Sequence, residues 1–91
     1  GLEAIIDLTA NNENVVVEIA AHTDDVGQEK DNLILSKKRA NAVRDYLISR
    51  GVLEQQLIAK GYGEVQPIVP NTSEENRSLN RRVEIIIRIV N

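Results

Sequence analysis

Hydrophobic and polar positions change their period along the chain, and each period predicts one element. Residues 2–9 repeat apolar positions at helical spacing until Asn11-Asn12 ends the pattern, which indicates the tail of an amphipathic helix. Residues 15–21 are mostly β-branched and alternate, so they predict a strand. The polar stretch 23–31 is typical of a loop.

The helical period returns from Asn32 to Arg50. Asp31 or Asn32 is expected to cap the amino terminus of this helix, and Gly51 is well placed as the left-handed residue after its carboxyl terminus. The side chains expected on the inward face are Leu35, Ala42 or Val43, Tyr46 and Leu47.

The last third of the chain predicts a strand, a loop, a short helix and another strand. Residues 57–62 have strand character, and Gly61 favours a bulge or a close approach of two backbones. After a loop marked by two prolines, Ser73 is placed to open a short helix that runs to Asn80. Residues 83–90 alternate again, with an apolar face and a mixed face. With no internal repeat, residues 1–91 are treated as one domain of modest core.

Composition excludes several classes of function. The chain is 42% hydrophobic and 27% charged, as globular domains are, but only 2% aromatic, so no row of rings is available to stack sugars or bases. A net charge of −3 makes nucleic acid a poor partner. The chain has no cysteine, so disulfides, thiolate metal sites and cysteine nucleophiles are excluded. No apolar run approaches the roughly 18 residues that span a membrane, so membrane insertion of this chain is not expected.

The clearest candidate site combines an acid at a strand end with a base in the next helix. Asp24 follows the strand that ends near His22, and Arg39 lies in the second turn of the predicted helix. Side chains converge at such places in α/β proteins. A carboxylate accepts hydrogen bonds and a guanidinium donates two in parallel, so the pair suits a zwitterion such as an amino acid. On spacing alone, a plain salt bridge between Asp24 and Arg39 is the favoured alternative.

The other polar residues give weaker indications of binding or catalysis. Adjacent Arg81 and Arg82 must point to opposite faces of a strand, so we expect Arg81 to face the site and Arg82 to be structural. The acids near His22 lack calcium-loop spacing and one histidine makes no zinc site, so no metal is expected. Nothing in the sequence raises a carboxyl pKa for a glycosidase-like pair. His22 has no nucleophile to serve, so general-base catalysis is not expected of it.

Four short motifs carry a resemblance to a known family. In chain order they are His22-Thr23-Asp24, Leu35-Ser36 with Arg39-Ala40, Gly61-Tyr62-Gly63-Glu64, and Asn80-Arg81-Arg82-Val83-Glu84. Over nearly its whole length the chain resembles the OmpA-like C-terminal domain of outer-membrane proteins, peptidoglycan-associated lipoproteins and flagellar stator proteins. The resemblance implies an α+β fold, an α/β sandwich of order β-α-β-α-β-β with helices on one face of a mixed sheet. The first strand of that order is missing from this sequence, so we expect an amino-terminally truncated domain with one sheet edge that is exposed or otherwise paired. The resemblance also implies a structural role for His22, which we expect to be a hydrogen-bonded residue at the strand end.

The same resemblance implies non-catalytic binding of cell-wall peptidoglycan, without a cofactor. In the family, the aspartate of the first motif and the arginine of the second bind the diaminopimelate of the stem peptide, which assigns that role to Asp24 and Arg39. Asn32 and Arg81 are implied as further ligand-binding residues, and Thr23 beside Asp24 joins them.

The expected location is the periplasmic face of the outer membrane of a Gram-negative bacterium. There the domain would anchor the outer membrane or an envelope complex to the wall. The alternative function is a protein-interaction module of an envelope or stator assembly with a vestigial pocket, and an enzyme acting on the wall ranks third.

Overall fold

The computed structural model describes residues 1–90. Within that range the elements, in chain order, are α1 (Leu2–Asn11), β1 (Val15–His22), α2 (Glu29–Ser49), a 3-10 turn (Glu54–Gln56), β2 (Leu57–Gly63), α3 (Glu74–Asn80) and β3 (Arg82–Ile89). The predicted order of elements is confirmed.

The strands form a mixed sheet of order β2-β1-β3 within the described residues. β1 pairs with β2 in parallel and with β3 in antiparallel orientation, so Ile19 lies between Ala59 and Ile85. The β1–β2 register shifts after Ala21, and His22 pairs with Gly63. This irregularity agrees with the bulge expected near Gly61.

One face of the sheet carries the core. Alternate residues of β1 pack with α1 and α2 into a single buried cluster, which confirms that these two helices lie on one face. The members of this cluster are Ile5, Val15, Val17, Ile19, Ala21, Ala40, Leu47, Val52 and Leu57. Burial of each large aliphatic side chain contributes about 1.5–3 kcal/mol, so an aliphatic core is enough to fix the sheet below the helices.

The inward face of α2 differs from the sequence prediction. Leu47 is buried as expected and Val43 packs against the core, but Leu35 and Tyr46 are 41% and 40% exposed and Ala42 is exposed. The cause is a close approach of α2 to β2, because a Cβ built on Gly61 would lie 2.3 Å from the backbone nitrogen of Lys37. The other residues of α2 that are buried are therefore small or polar, namely Asn32, Ser36 and Ala40.

The prediction of an Asp31 or Asn32 cap was wrong. α2 begins three residues before Asn32, and its N-cap is Gln28, which makes no side-chain capping hydrogen bond. The backbone oxygen of Gln28 accepts from the amides of Asp31 and Asn32, which leaves the Asn32 side chain free to turn inward. The prediction for Gly51 is confirmed, since its φ is +96°.

The ends of α3 and the sides of β3 complete the frame. The Ser73 hydroxyl accepts from the Asn76 amide at 3.1 Å, as predicted for the cap of α3. On the apolar face of β3, Ile85 packs against the core but Val83, Ile87 and Ile89 are 42%, 50% and 72% exposed. The reason is that β3 is an outer strand, while α1 and α2 pack over β1 and β2.

Candidate functional site

Asp24 is fixed directly beyond the end of β1. The Thr23 amide donates to Gly63 O at 2.9 Å, which extends the pairing with β2 by one residue. The Thr23 side chain is buried, and its hydroxyl donates to Asp24 O at 2.8 Å. The Asp24 carboxylate accepts from the Val26 amide at 3.0 Å through Oδ1, a local turn that aims its Oδ2 away from the loop.

Asn32 holds this loop against the rest of the domain. Its Nδ2 lies 3.3 Å from Asp24 O, 3.0 Å from Val26 O and 3.1 Å from Glu64 Oε1. The residue is buried, and its amide thereby joins the loop, α2 and the turn after β2. This contact gives Asn32 a role inside the protein, while its expected ligand contact stays a prediction.

Arg81 bridges two carboxylates at the start of β3. Its Nη1 lies 2.7 Å from Asp24 Oδ2, and its Nη2 lies 2.6 Å from Glu74 Oε1. Burial alone would raise the pKa of Asp24, but the hydrogen bonds from Arg81 and the Val26 amide outweigh it and hold the pKa below its usual value. Asp24 is therefore ionised at neutral pH.

Arg39 reaches the same region from α2. Together with Arg81, Arg82 and Val83 it lines a hollow of about 350 Å³. The Arg39 side chain is exposed and, within residues 1–90, it makes no salt bridge and no side-chain hydrogen bond. The alternative of an Asp24–Arg39 salt bridge is thus not what the structure contains, because Asp24 pairs with Arg81 instead.

Arg82, which also lines the hollow, is held by hydrogen bonds within the protein. Its Nε lies 2.8 Å from Glu84 Oε2, and its terminal nitrogens donate to Asn80 O at 3.3 Å and Gln66 O at 3.0 Å. These bonds tie β3 to the loop before α3. Both arginines line the same hollow, and the expectation that Arg81 is the one that contacts the ligand stays a prediction.

His22 differs from its expected state. It is 1% exposed and stacks on Tyr62 with ring centroids 5.2 Å apart, but neither ring nitrogen has a hydrogen-bond partner in the described chain. Its Nε2 lies 3.5 Å from Glu84 Oε1, too far for a good hydrogen bond. Burial and the nearby Arg82 lower the pKa of His22, against an opposing effect of Glu84, so the ring is neutral at pH 7. The strand end is fixed by stacking and backbone pairing rather than by a histidine hydrogen bond.

Glu74 is the site residue that sequence reasoning missed. It sits in the first turn of α3, 67% exposed, and contacts Arg81 and, at 3.4 Å, Arg77. The Ser73 cap was the available signal, because it fixes where the first turn points, and Arg81 follows Glu74 by only seven residues.

A larger hollow lies elsewhere in the domain. It has a volume of about 500 Å³ between the start of α2 and the end of β2, and Leu33, Tyr62 and Val65 contribute to its mostly apolar wall. Neither Asp24 nor any arginine lines it. We therefore assign the candidate site to the smaller hollow, where guanidinium groups converge beside a fixed carboxylate.

Residues 1–90 lack two further kinds of feature, a metal-binding cluster and a membrane-spanning helix. Within residues 1–90, no group of three or more histidine and acidic side chains is arranged to hold a metal ion. No helix in the same part of the chain combines the length and the apolar character that crossing a membrane requires.

The fold and the site define an α+β binding domain, and comparisons with known proteins identify its family. A model of the OmpA family matches residues 1–81. Outer membrane porin F of Pseudomonas aeruginosa is 48% identical over 67 residues, which are 72% of this chain and 19% of that protein. Peptidoglycan-binding protein ArfA of Mycobacterium tuberculosis is 45% identical over 71 residues, 78% of this chain and 22% of that protein.

A solved structure agrees with this result. The peptidoglycan-associated lipoprotein from Burkholderia pseudomallei superposes with a TM-score of 0.91 at 29% identity, covering 96% of this chain and 74% of that one. The chain belongs to the OmpA family. It spans about a fifth of the length of the two curated relatives.

Proposed function

We propose that this domain binds cell-wall peptidoglycan without catalysis, through the diaminopimelate of the stem peptide. The proposal is supported by a fixed, ionised Asp24 that is bonded to Arg81, and by Arg39, which lines one hollow with Arg81 and has no side-chain partner within residues 1–90. The distal end of diaminopimelate in a stem peptide carries one ammonium and one carboxylate group. These two charges match the two protein groups in number and in sign.

Each protein group has a distinct task in this proposal. Arg39 grips the ligand carboxylate through two parallel hydrogen bonds, worth on the order of 1.5–3 kcal/mol each in favourable surroundings. Asp24 accepts from the ammonium group through lone pairs that Val26 and Arg81 leave open. Thr23 and Asn32 keep the Asp24 loop in place, so the acid need not be ordered when the ligand arrives.

The relatives support the ligand and the location. ArfA is named a peptidoglycan-binding protein and the Burkholderia structure is of a peptidoglycan-associated lipoprotein, while porin F is named an outer membrane protein. We infer that this domain works in the cell envelope, at the periplasmic face of the outer membrane of a Gram-negative bacterium. The wall repeats its stem peptide many times, so several tethered domains hold it firmly even if each binds weakly.

Co-sedimentation with purified cell wall tests the proposal. Arg39→Ala and Asp24→Ala are each expected to abolish pelleting with the wall, and Arg39→Lys also fails because an ammonium group cannot make the two-pronged contact. Lys38→Ala is the matched control, since Lys38 is the exposed cationic neighbour of Arg39 on α2. Thermal melting of each variant separates a lost contact from a lost fold.

One outcome favours the protein-interaction alternative over wall binding. If neither the unchanged domain nor a folded Arg39→Ala variant pellets with the wall, the domain does not bind the wall and the hollow is vestigial. The exposed apolar side chains of β3 would then be the first surface to examine for a protein partner.

A further inference from the structure

Arg81 divides its guanidinium between two acids that lie on different elements. Nη1 contacts Asp24 beyond β1, and Nη2 contacts Glu74 in the first turn of α3. Because each terminal nitrogen serves one carboxylate, Arg81 does not close over both oxygens of Asp24. The geometry of the Asp24 carboxylate therefore depends on a residue that does not touch it.

The balance of charge around the hollow also depends on Glu74. Arg39, Arg77, Arg81 and Arg82 supply four positive charges, and the acids in contact with them are Asp24, Glu74 and Glu84. Among these seven groups, positive charges thus exceed negative ones by one. Without the charge of Glu74, the excess would be two, which favours anions and opposes a ligand ammonium group.

We propose that Glu74 is a specificity-determining residue, which holds the second prong of Arg81 and so keeps Asp24 open to the ammonium group of the ligand. This inference rests on the proposed function. Glu74 acts through Arg81 and is a positioning residue, whereas Asp24 and Arg39 contact the ligand. Ser73 supports this arrangement, because its cap on α3 fixes the turn that presents Glu74.

Loss of the Glu74 charge has two consequences of the same sign. Arg81 becomes free to turn both terminal nitrogens onto Asp24, which occupies the oxygens that the ammonium group needs. The local potential also becomes more positive. Both effects weaken the contact with the ammonium group and leave the contact between Arg39 and the ligand carboxylate in place.

The test compares two synthetic tripeptides by calorimetry. One ends in diaminopimelate, and the other is identical except that hydrogen replaces its distal amine. Glu74→Gln is expected to lower the ratio of the two affinities, amine-bearing over amine-lacking, by roughly two- to fivefold at low salt, the scale of a partly exposed charge contact. Glu75→Gln is the matched control, because it removes the same charge from the next residue, which has no contact with Arg81.

Each result has one meaning. A fall of the ratio in Glu74→Gln but not in Glu75→Gln supports the role of Glu74, and a weaker fall at high salt supports its electrostatic basis. If Glu74→Gln reduces both affinities equally, or if Glu75→Gln shifts the ratio as much, the specificity role is overturned while the proposed function stands. If the unchanged domain binds neither tripeptide, the proposed function fails and the role of Glu74 fails with it.

Discussion

Asp24 and Arg39 reach the same end of the molecule for different physical reasons. Asp24 is held by bonds to the Val26 amide and to Arg81, so its position is set before any ligand arrives. Arg39 is exposed on α2, and within residues 1–90 its guanidinium group makes no side-chain hydrogen bond. Substitution of the buried Asp24 and of the exposed Arg39 should therefore change the free energy of unfolding by different amounts, and this difference can be measured.

Substitution of Asp24 is expected to lower stability as well as binding. Asp24→Asn keeps an acceptor for the Val26 amide but removes the charge that pairs with Arg81, at a cost of about 1–2 kcal/mol in the free energy of unfolding. The pKa of Asp24 in the folded state lies below its usual 3.8, so this contribution is present above that value and is lost as the pH falls through the folded pKa. Acid unfolding of both proteins, followed by circular dichroism, should show the difference between them shrink at low pH. If the difference in stability between the two proteins stays constant down to about pH 2, Asp24 and Arg81 do not form the stabilising pair.

His22 predicts a second pH dependence at milder acidity. Its folded pKa lies below the usual 6.5, so the unfolded chain binds the proton first as the pH falls below 6.5, and the folded state loses stability. His22→Phe keeps a flat ring to stack on Tyr62 and removes the titration. Melting temperatures measured on either side of pH 6.5 should fall with pH more steeply for the unchanged domain than for His22→Phe. Parallel curves would show that His22 does not titrate differently in the two states.

At the scale of elements, α2 illustrates why the hydrophobic pattern of a sequence can predict the wrong inward face of a helix. The helix meets the sheet where Gly61 lacks a side chain, and the gap accepts Ser36 and Ala40 but not leucine. Large apolar residues are thereby displaced to the flanks, where Leu35 is 41% exposed. A period count assumes that the largest apolar residues face inward, and close packing on glycine reverses that assumption.

Two leucines of α2 test this account. Leu47→Ala should destabilise the domain by about 2–5 kcal/mol because Leu47 is fully buried and its loss leaves a cavity. Leu35→Ala should cost less than about 1 kcal/mol, since water already reaches the side chain. Urea unfolding of both variants gives the two values. Equal losses would mean that the inward face predicted from the sequence was correct after all.

Two caps and the strands were the most predictable parts of these elements, whereas the cap expected at the start of α2 was wrong. Ser73 and Gly51 act locally, through a hydroxyl and a positive φ that their own residue types favour, so the sequence was sufficient. The Asp24 partner of Arg81 was not predictable, because the two residues are 57 positions apart in the sequence and meet only in the folded domain. The unpaired state of the His22 ring was missed for a similar reason, since stacking on Tyr62 depends on the β1–β2 register.

At the scale of the whole molecule, the residues that stabilise the fold lie apart from the residues of the candidate site. The aliphatic core lies between β1, β2 and the two longer helices, and the charged groups of the site gather beyond the end of β1. Substitutions at the site can therefore change binding while most of the core stays intact. Membership of the OmpA family fits this division, since relatives as different as a porin and ArfA share the domain.

The central claim is that Arg39 and Asp24 read both charges at the distal end of diaminopimelate. Calorimetric titration with two stem peptides, one containing diaminopimelate and the other lysine at that position, tests it most directly, because lysine lacks the distal carboxylate. The account predicts that the lysine peptide binds at least about tenfold more weakly, or about 1.4 kcal/mol, and that Arg39→Ala removes this preference. Equal affinity of the unchanged domain for the two peptides would contradict the account.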